Sequence, residues 1–491
     1  MKAFKEVEST RRQYHAKPAL NSVHRSSLLV PELPGAVAEI SFVNHFLLKR
    51  KYPHVGLRVT GIDAAGKRVE SRLFPVTEPR VHVFKLTGLF DKPVADYLVE
   101  FYAAENLFIP FPAVMVNHRG PGFLNTLHSY NRSLNDVFED DSINAKPVAE
   151  ASIDVLPAPL QAFLLFTAGP SGGRGELELE LATPEKTWTA KVSVDSPRFG
   201  HRLIKIREAF PGLPASATGV LKARQPAQPM FYGRMLCGHL DAQGRFTANH
   251  SYYDSSSAAE YWDDARESYR SYPYFPGIDN RIRMYPIMSP SELTVTVSLR
   301  GADGRELAKV PAGSVTSPGP RFLDVSVGAL AAKAGVAEAA VAAYTVATAG
   351  SKMPTRVNHQ LVHGSGGLES SINVSLVNPN VFQPAGKTGL TWGQFPAGKG
   401  LRSRLGIVGN APAGEACPVE VTFYGEDGEL GKVEKTLAPG GSVLFDSKDF
   451  ETRGEEPSYL WFFARSSRPD LSAFVVTRDD STGACTGEHG F

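Results

Sequence analysis

One segment constrains this chain more than any other, because its counterpart returns three times. Lys85-Leu86-Thr87-Gly88-Leu89-Phe90 is followed by Lys205-Ile206-Arg207-Glu208-Ala209-Phe210, by Val325-Ser326-Val327-Gly328-Ala329-Leu330, and by Phe445-Asp446-Ser447-Lys448-Asp449-Phe450. The closing apolar residues Phe90, Phe210, Leu330 and Phe450 are 120 residues apart each time. A period of that size is a domain length, so the spacing predicts four diverged copies of one domain rather than a single large core.

Other features keep the same register. Val37-Ala38-Glu39-Ile40-Ser41-Phe42-Val43 and Val55-Gly56-Leu57-Arg58-Val59-Thr60 alternate, as strands with one buried face do. Ala64-Ala65-Gly66-Lys67, Ala302-Asp303-Gly304-Arg305 and Glu426-Asp427-Gly428-Glu429 read as hairpin tips, with Thr183-Pro184-Glu185-Lys186 in the second copy. With 45 Gly and 36 Pro to punctuate short strands, the expected fold is all-β: four tandem antiparallel β-sandwiches with a few short helices, packed as a pseudo-tetramer. The boundaries read as a flexible lead-in over 1–22 and copies over 23–145, 146–275, 276–383 and 384–491, the second carrying an aromatic insert. Ser257-Ala258-Ala259-Glu260 has capping-box spacing and predicts a helix running to about Tyr269. The alanine-rich stretch from Gly328 to Tyr344 predicts a helical turn or two.

The fourth copy carries a resemblance. Leu405-Gly406-Ile407-Val408-Gly409-Asn410, then Val419-Glu420-Val421-Thr422-Phe423-Tyr424-Gly425-Glu426-Asp427-Gly428, then Leu471-Ser472-Ala473-Phe474-Val475-Val476-Thr477-Arg478-Asp479-Asp480 resemble the Anabaena sensory rhodopsin transducer family. These are small β-sandwich domains that associate as tetramers. The resemblance implies the sandwich fold and a signalling or ligand-binding role.

A formal net charge of +1 gives no electrostatic case for nucleic acid as a partner, and no apolar run approaches the length of a membrane helix. Three scattered cysteines and a charged start, Met1-Lys2-Ala3-Phe4-Lys5-Glu6, point to a cytoplasmic chain without a disulfide framework. Sequence signatures of zinc proteases, P-loops and dinucleotide folds are missing.

The residues that stand out chemically are basic or imidazole positions near the end of each copy. Counted from the repeated landmark, the first set is His118, Arg234, His359 and Arg478; the second is His128, His250, His363 and His489. Neutral imidazoles at a sandwich rim bind a divalent metal, for which His118, His128, His359 and His363 are the candidate ligands, with Asp254, Asp479 or Glu488 completing the shell. Guanidinium beside imidazole instead makes an anion cradle, for which Arg234, His250, Tyr252, Arg478 and His489 are the candidate contacts. A purely structural role is open to all of them, as turn and strand-end residues that bond the backbone. Tyrosines from Tyr252 to Tyr285 read either as a stacking platform for a sugar or a base or as packing at a domain seam. The leading expectation is a ligand-binding or scaffold protein that takes a small anionic or carbohydrate-like ligand, or a protein partner, at these rims. Its rival is a metal-dependent enzyme, hydrolytic or oxidative, with a His-rich rim site.

Overall fold

The computed structural model describes residues 24–103, 112–133, 147–229, 231–253, 261–284, 292–315, 323–350, 352–355, 357–364, 366–382, 388–398, 400–450 and 457–491. The expected lead-in and Asp254 lie outside these residues.

In copy one, eight strands follow each other: His24–Pro31, Val37–Val43, Val55–Ile62, Arg68–Val76, Val81–Lys85, Asp96–Ala103, Met115–Gly120 and Phe123–His128. The first, sixth, third and fourth form one antiparallel sheet in that spatial order, and the fifth, second, seventh and eighth form the other. The same two orders recur in every copy. Copy two places Val148–Val155, Gly219–Gln225, Gly173–Ala182 and Thr187–Ser196 beside one another, opposite His201–Lys205, Gln161–Thr167, Leu236–Leu240 and Phe246–His250. In copy three the second sheet runs Leu323–Ser326, Asp279–Met284, Val357–Gly364, Ser370–Leu376; in copy four, Ser442–Asp446, Leu401–Gly409, Leu471–Asp479, Cys485–His489. Four copies of one topology are therefore present.

The landmark occupies one place in all four: the tight link between the fifth and sixth strands. It is a plain turn in copy one and a short helix in the others, Ile206–Ala209, Val327–Lys333 and Ser447–Asp449. Phe90 and Phe210 are buried there, while Leu330 and Phe450 are partly buried against their cores. The anticipated hairpin tips are hairpin tips. Gly66 and Gly304 take φ of +76° and +78°, and Gly428 takes +115°, left-handed backbone that a Cβ disfavours. The fourth strands alternate exposed charge with half-buried residues, as in Arg68–Val76, which keeps these sheet edges from recruiting other strands.

Two expectations are corrected. Ser257 to Glu260 lie outside the described residues, and from Tyr261 on the chain does not run as a helix to Tyr269. Tyr261–Trp262 bridges Met353–Pro354, and Glu267–Pro273 is the first strand of copy three, paired along Val341–Thr348. A ladder partner outweighed a local capping signal. For the same reason copy three starts before residue 276, and the tyrosines of that strand belong to its sandwich. Tyr272 and Phe275 are buried within the sandwich and form no open stacking face.

The chain divides into two compact units, one spanning most of 14–253 and the other most of 254–491, so each holds two sandwiches. Inside each unit the two eighth strands pack together. In the first unit the Ala248 amide donates to Asn125 Oδ1 at 2.6 Å, across 123 residues of chain. In the second, the Ile372 side chain lies against Gly487, where an added Cβ would meet it at 3.0 Å. The core of copy three also takes in Val408, Phe474 and Val476 from copy four. Among the described residues no helix is long and apolar enough to cross a membrane.

Candidate functional site

Strand pairing, rather than distance along the chain, decides which side chains are equivalent. In the second sheet His118 pairs with Ala38, one residue before the Glu39–Lys85 pair that closes the fifth strand. The matching position in copy two is His239, opposite Ala162, one before Phe163–Lys205. In copy three it is His363, opposite Asn280, and in copy four Thr477, opposite Ser403. Arg234, His359 and Arg478 are not counterparts of His118, and His239 was passed over.

These seventh-strand histidines do one thing. His118 Nε2 lies 3.0 Å from the Pro31 carbonyl, and His239 Nε2 lies 3.1 Å from that of Asp154, at the far end of the first strand in the opposite sheet. His363 stacks edge-on to Phe275, just beyond the first strand of its own copy, with Nδ1 3.3 Å from Ser370 Oγ. Thr477 makes a hydroxyl contact with Ser403 Oγ at 2.7 Å instead. Each imidazole thus ties one sheet to the other or caps the interior between them. Burial drives His118 down to about 4 and His363 to about 3, so both are neutral near pH 7. His359 is likewise enclosed, between the Tyr272 hydroxyl at 2.7 Å and the Val357 carbonyl at 3.1 Å, and burial lowers it to about 3.

As metal ligands, then, these rings do not converge in pairs. His359 and His363 sit four residues apart on one strand, about 13 Å at ordinary strand rise, each with its own protein partner. His118 and His128 are offset by three ladder positions, which puts them on opposite faces of the sheet.

The eighth-strand set holds better. His128 pairs with Met115, His250 with Leu236 and His489 with Phe474, three positions back from His118, His239 and Thr477. The residue after each donates its amide to an equivalent carbonyl: Ser129 to Val114, Ser251 to Met235, Gly490 to Ala473. Copy three has Asn373 there, opposite Gln360, so His363 is not the fourth member. His489 and Arg478 lie four ladder positions apart and do not meet.

In the first unit three of the candidates come together. The packing of eighth strand on eighth strand sets the His128 and His250 rings 4.7 Å apart, nearly perpendicular at 84°. Arg234, in the link before the seventh strand, brings Nη1 to 3.1 Å from His250 Nδ1. That nitrogen is also 2.9 Å from the Ser251 carbonyl. Nδ1 cannot donate to a carbonyl and accept from a guanidinium at once, so the imidazole tautomer decides which bond is made. His250 is buried, whereas Arg234 and His128 are half-buried. Tyr252, two residues on, pairs by its backbone with Ala151 of the first strand.

No protein-family model matches the chain, and no curated protein matches it. Among solved structures, a tetra-tandem repeat in the extending region of a large adhesion protein aligns over 89% of this chain and 91% of that one. It does so at 10% identity and a TM-score of 0.10, too low for the likeness to bear on fold or function.

Proposed function

We propose that this chain is a binding scaffold whose paired sandwiches present an anion-recognition rim made by Arg234, His250 and His128. The observation that carries the reading is the meeting of a guanidinium and two imidazoles where copies one and two pack, 3.1 Å and 4.7 Å apart. A guanidinium offers a fixed fork of donors to a carboxylate or phosphate, and an imidazole N–H beside it adds another. The resemblance of the fourth copy to a ligand-binding or signalling family points the same way. The enclosed histidines His118, His239, His359 and His363 fit the structural role, since each has a protein partner.

Calorimetric titration of the purified protein with orthophosphate and with glucuronate tests the reading. Binding that weakens at least tenfold in Arg234→Met, and also weakens in His250→Gln, supports it. Titrations unchanged by Arg234→Met defeat it. Elemental analysis of the same preparation bears on the metal-dependent alternative: stoichiometric zinc, iron or manganese, lost in His128→Ala, would replace the anion rim with a metal site.

A further inference from the structure

A cavity elsewhere in the same unit shares no lining residue with the rim of Arg234, His250 and His128. A cavity of about 610 Å³ opens where the link after the first strand of copy one meets the second sheet of copy two. Its walls are largely apolar, with Leu33 and Pro34 on one side and Phe163, Leu203 and Phe246 on the other. That volume is within the range of small-molecule pockets, about 300–1,000 Å³, which pair apolar walls with a few placed polar groups.

The polar groups decide the class of ligand. Three line the cavity: Gln161, Lys205 and Asp241. The Asp241 carboxylate is already engaged. Its Oδ1 accepts the amides of Gln243 and Arg245 at 2.9 and 3.0 Å, and its Oδ2 takes Arg245 Nε at 2.7 Å. What is left over is donor capacity. Gln161 lines the wall but keeps its Nε2 enclosed and out of an occupant's reach, which leaves Lys205 as the donor. Among the described residues Lys205 Nζ reaches Glu208 alone, 3.4 Å away in a pair that is 44% and 71% exposed, a contact that water largely screens. An apolar chamber with an ammonium at its wall, and with its acid Asp241 already engaged, complements an apolar body ending in a single anionic acceptor.

We propose that this cavity binds a medium-chain or aryl monocarboxylate, its carboxylate on Lys205 and its apolar body along Phe163, Leu203 and Phe246. An alcohol of the same length would fill the chamber and forgo the charged contact. A cationic amine would meet Lys205 as a like charge.

The test uses the full-length protein and three ten-carbon probes, decanoate, decanol and decylamine, each below its aggregation limit, in calorimetric titrations. Decanoate is expected to bind one per chain and at least tenfold tighter than decanol or decylamine. Lys205→Gln, a surface change that leaves the sandwich intact, should remove that advantage while decanol binding stays as it was. Leu203→Trp should abolish binding of all three by filling the chamber, and Arg234→Met should alter none of it. Equal affinity for acid and alcohol, insensitivity to Lys205→Gln, or no stoichiometric binding by any probe overturns the proposal. A loss of phosphate binding in Arg234→Met with decanoate binding kept, or the reverse, tells the two sites apart.

Discussion

Single residues here speak mainly through protonation. His45, His118, His359 and His363 are enclosed, and burial lowers them to about 3, 4, 3 and 3. The unfolded chain therefore binds more protons than the folded one between those values and about pH 6.5. The stability these rings contribute is fully present above pH 6.5 and is lost as pH falls toward 4. Each should cost about 2 kcal/mol on going from pH 6.5 to 5. Urea midpoints at pH 7.5 and 5.0 check this: the wild type should fall steeply, and His118→Gln should fall less. Asp96 works in the opposite sense. Enclosed in copy one, with Oδ1 2.6 Å from His201 Nδ1 of copy two, its carboxyl is pushed up to about 6 by burial, against the pull of that hydrogen bond. Its folded form holds a proton that the unfolded form has released between about pH 4 and 6, so its contribution declines as pH rises through that window. Asp96→Asn removes the decline, and its stability relative to wild type should improve by up to roughly 3 kcal/mol from pH 4 to 7.

At the scale of strands and turns, the sequence is most readable where backbone chemistry leaves few choices. Hairpin glycines were legible because positive φ admits little else, and the landmark was legible because it closes the same link in each copy. The histidine register was not. Counting from Phe90 or Phe210 crosses the sixth strand and a link whose length varies, so an offset there fixes no ladder partner. Counting back from the glycine of the seventh–eighth hairpin would have served: Gly122, Gly244, Gly367 and Gly483 all have φ between 73° and 79°, and His118, His239 and His363 precede three of them by four or five residues. The misjudged helix near Ser257 failed for a related reason, since the partner strand that claims Glu267–Pro273 lies more than 60 residues away. Two of these glycines make a matched pair for measurement. Gly304 has φ +78°, and a Cβ there would come 1.9 Å from the Pro439 carbonyl, whereas Gly244 at φ +77° faces open space. Gly244→Ala should cost about 1 kcal/mol from backbone strain alone. Gly304→Ala adds a collision with backbone and should cost about 3 kcal/mol or more by thermal or urea unfolding. Equal costs would mean that the turn of copy three does not rest against the loop of copy four.

Across the whole molecule one eight-strand topology occurs four times, and copies one and two make a compact unit of their own. Nothing in a 120-residue period says which copies pair. The pairing rests on eighth strands that alternate partly apolar side chains with bonding groups such as Asn125, whose partner, Ala248, gives no sign of it in the sequence. If the unit is self-sufficient, residues 14–253 produced alone should fold. Far-UV circular dichroism with urea titration is the direct measurement. The expected result is a β spectrum and one cooperative transition, with a slope suited to about 240 residues unfolding together, lowered in midpoint by Asn125→Ala. A fragment that stays unfolded, or that unfolds in two separate steps indifferent to Asn125→Ala, would mean that copies one and two do not form a self-sufficient unit.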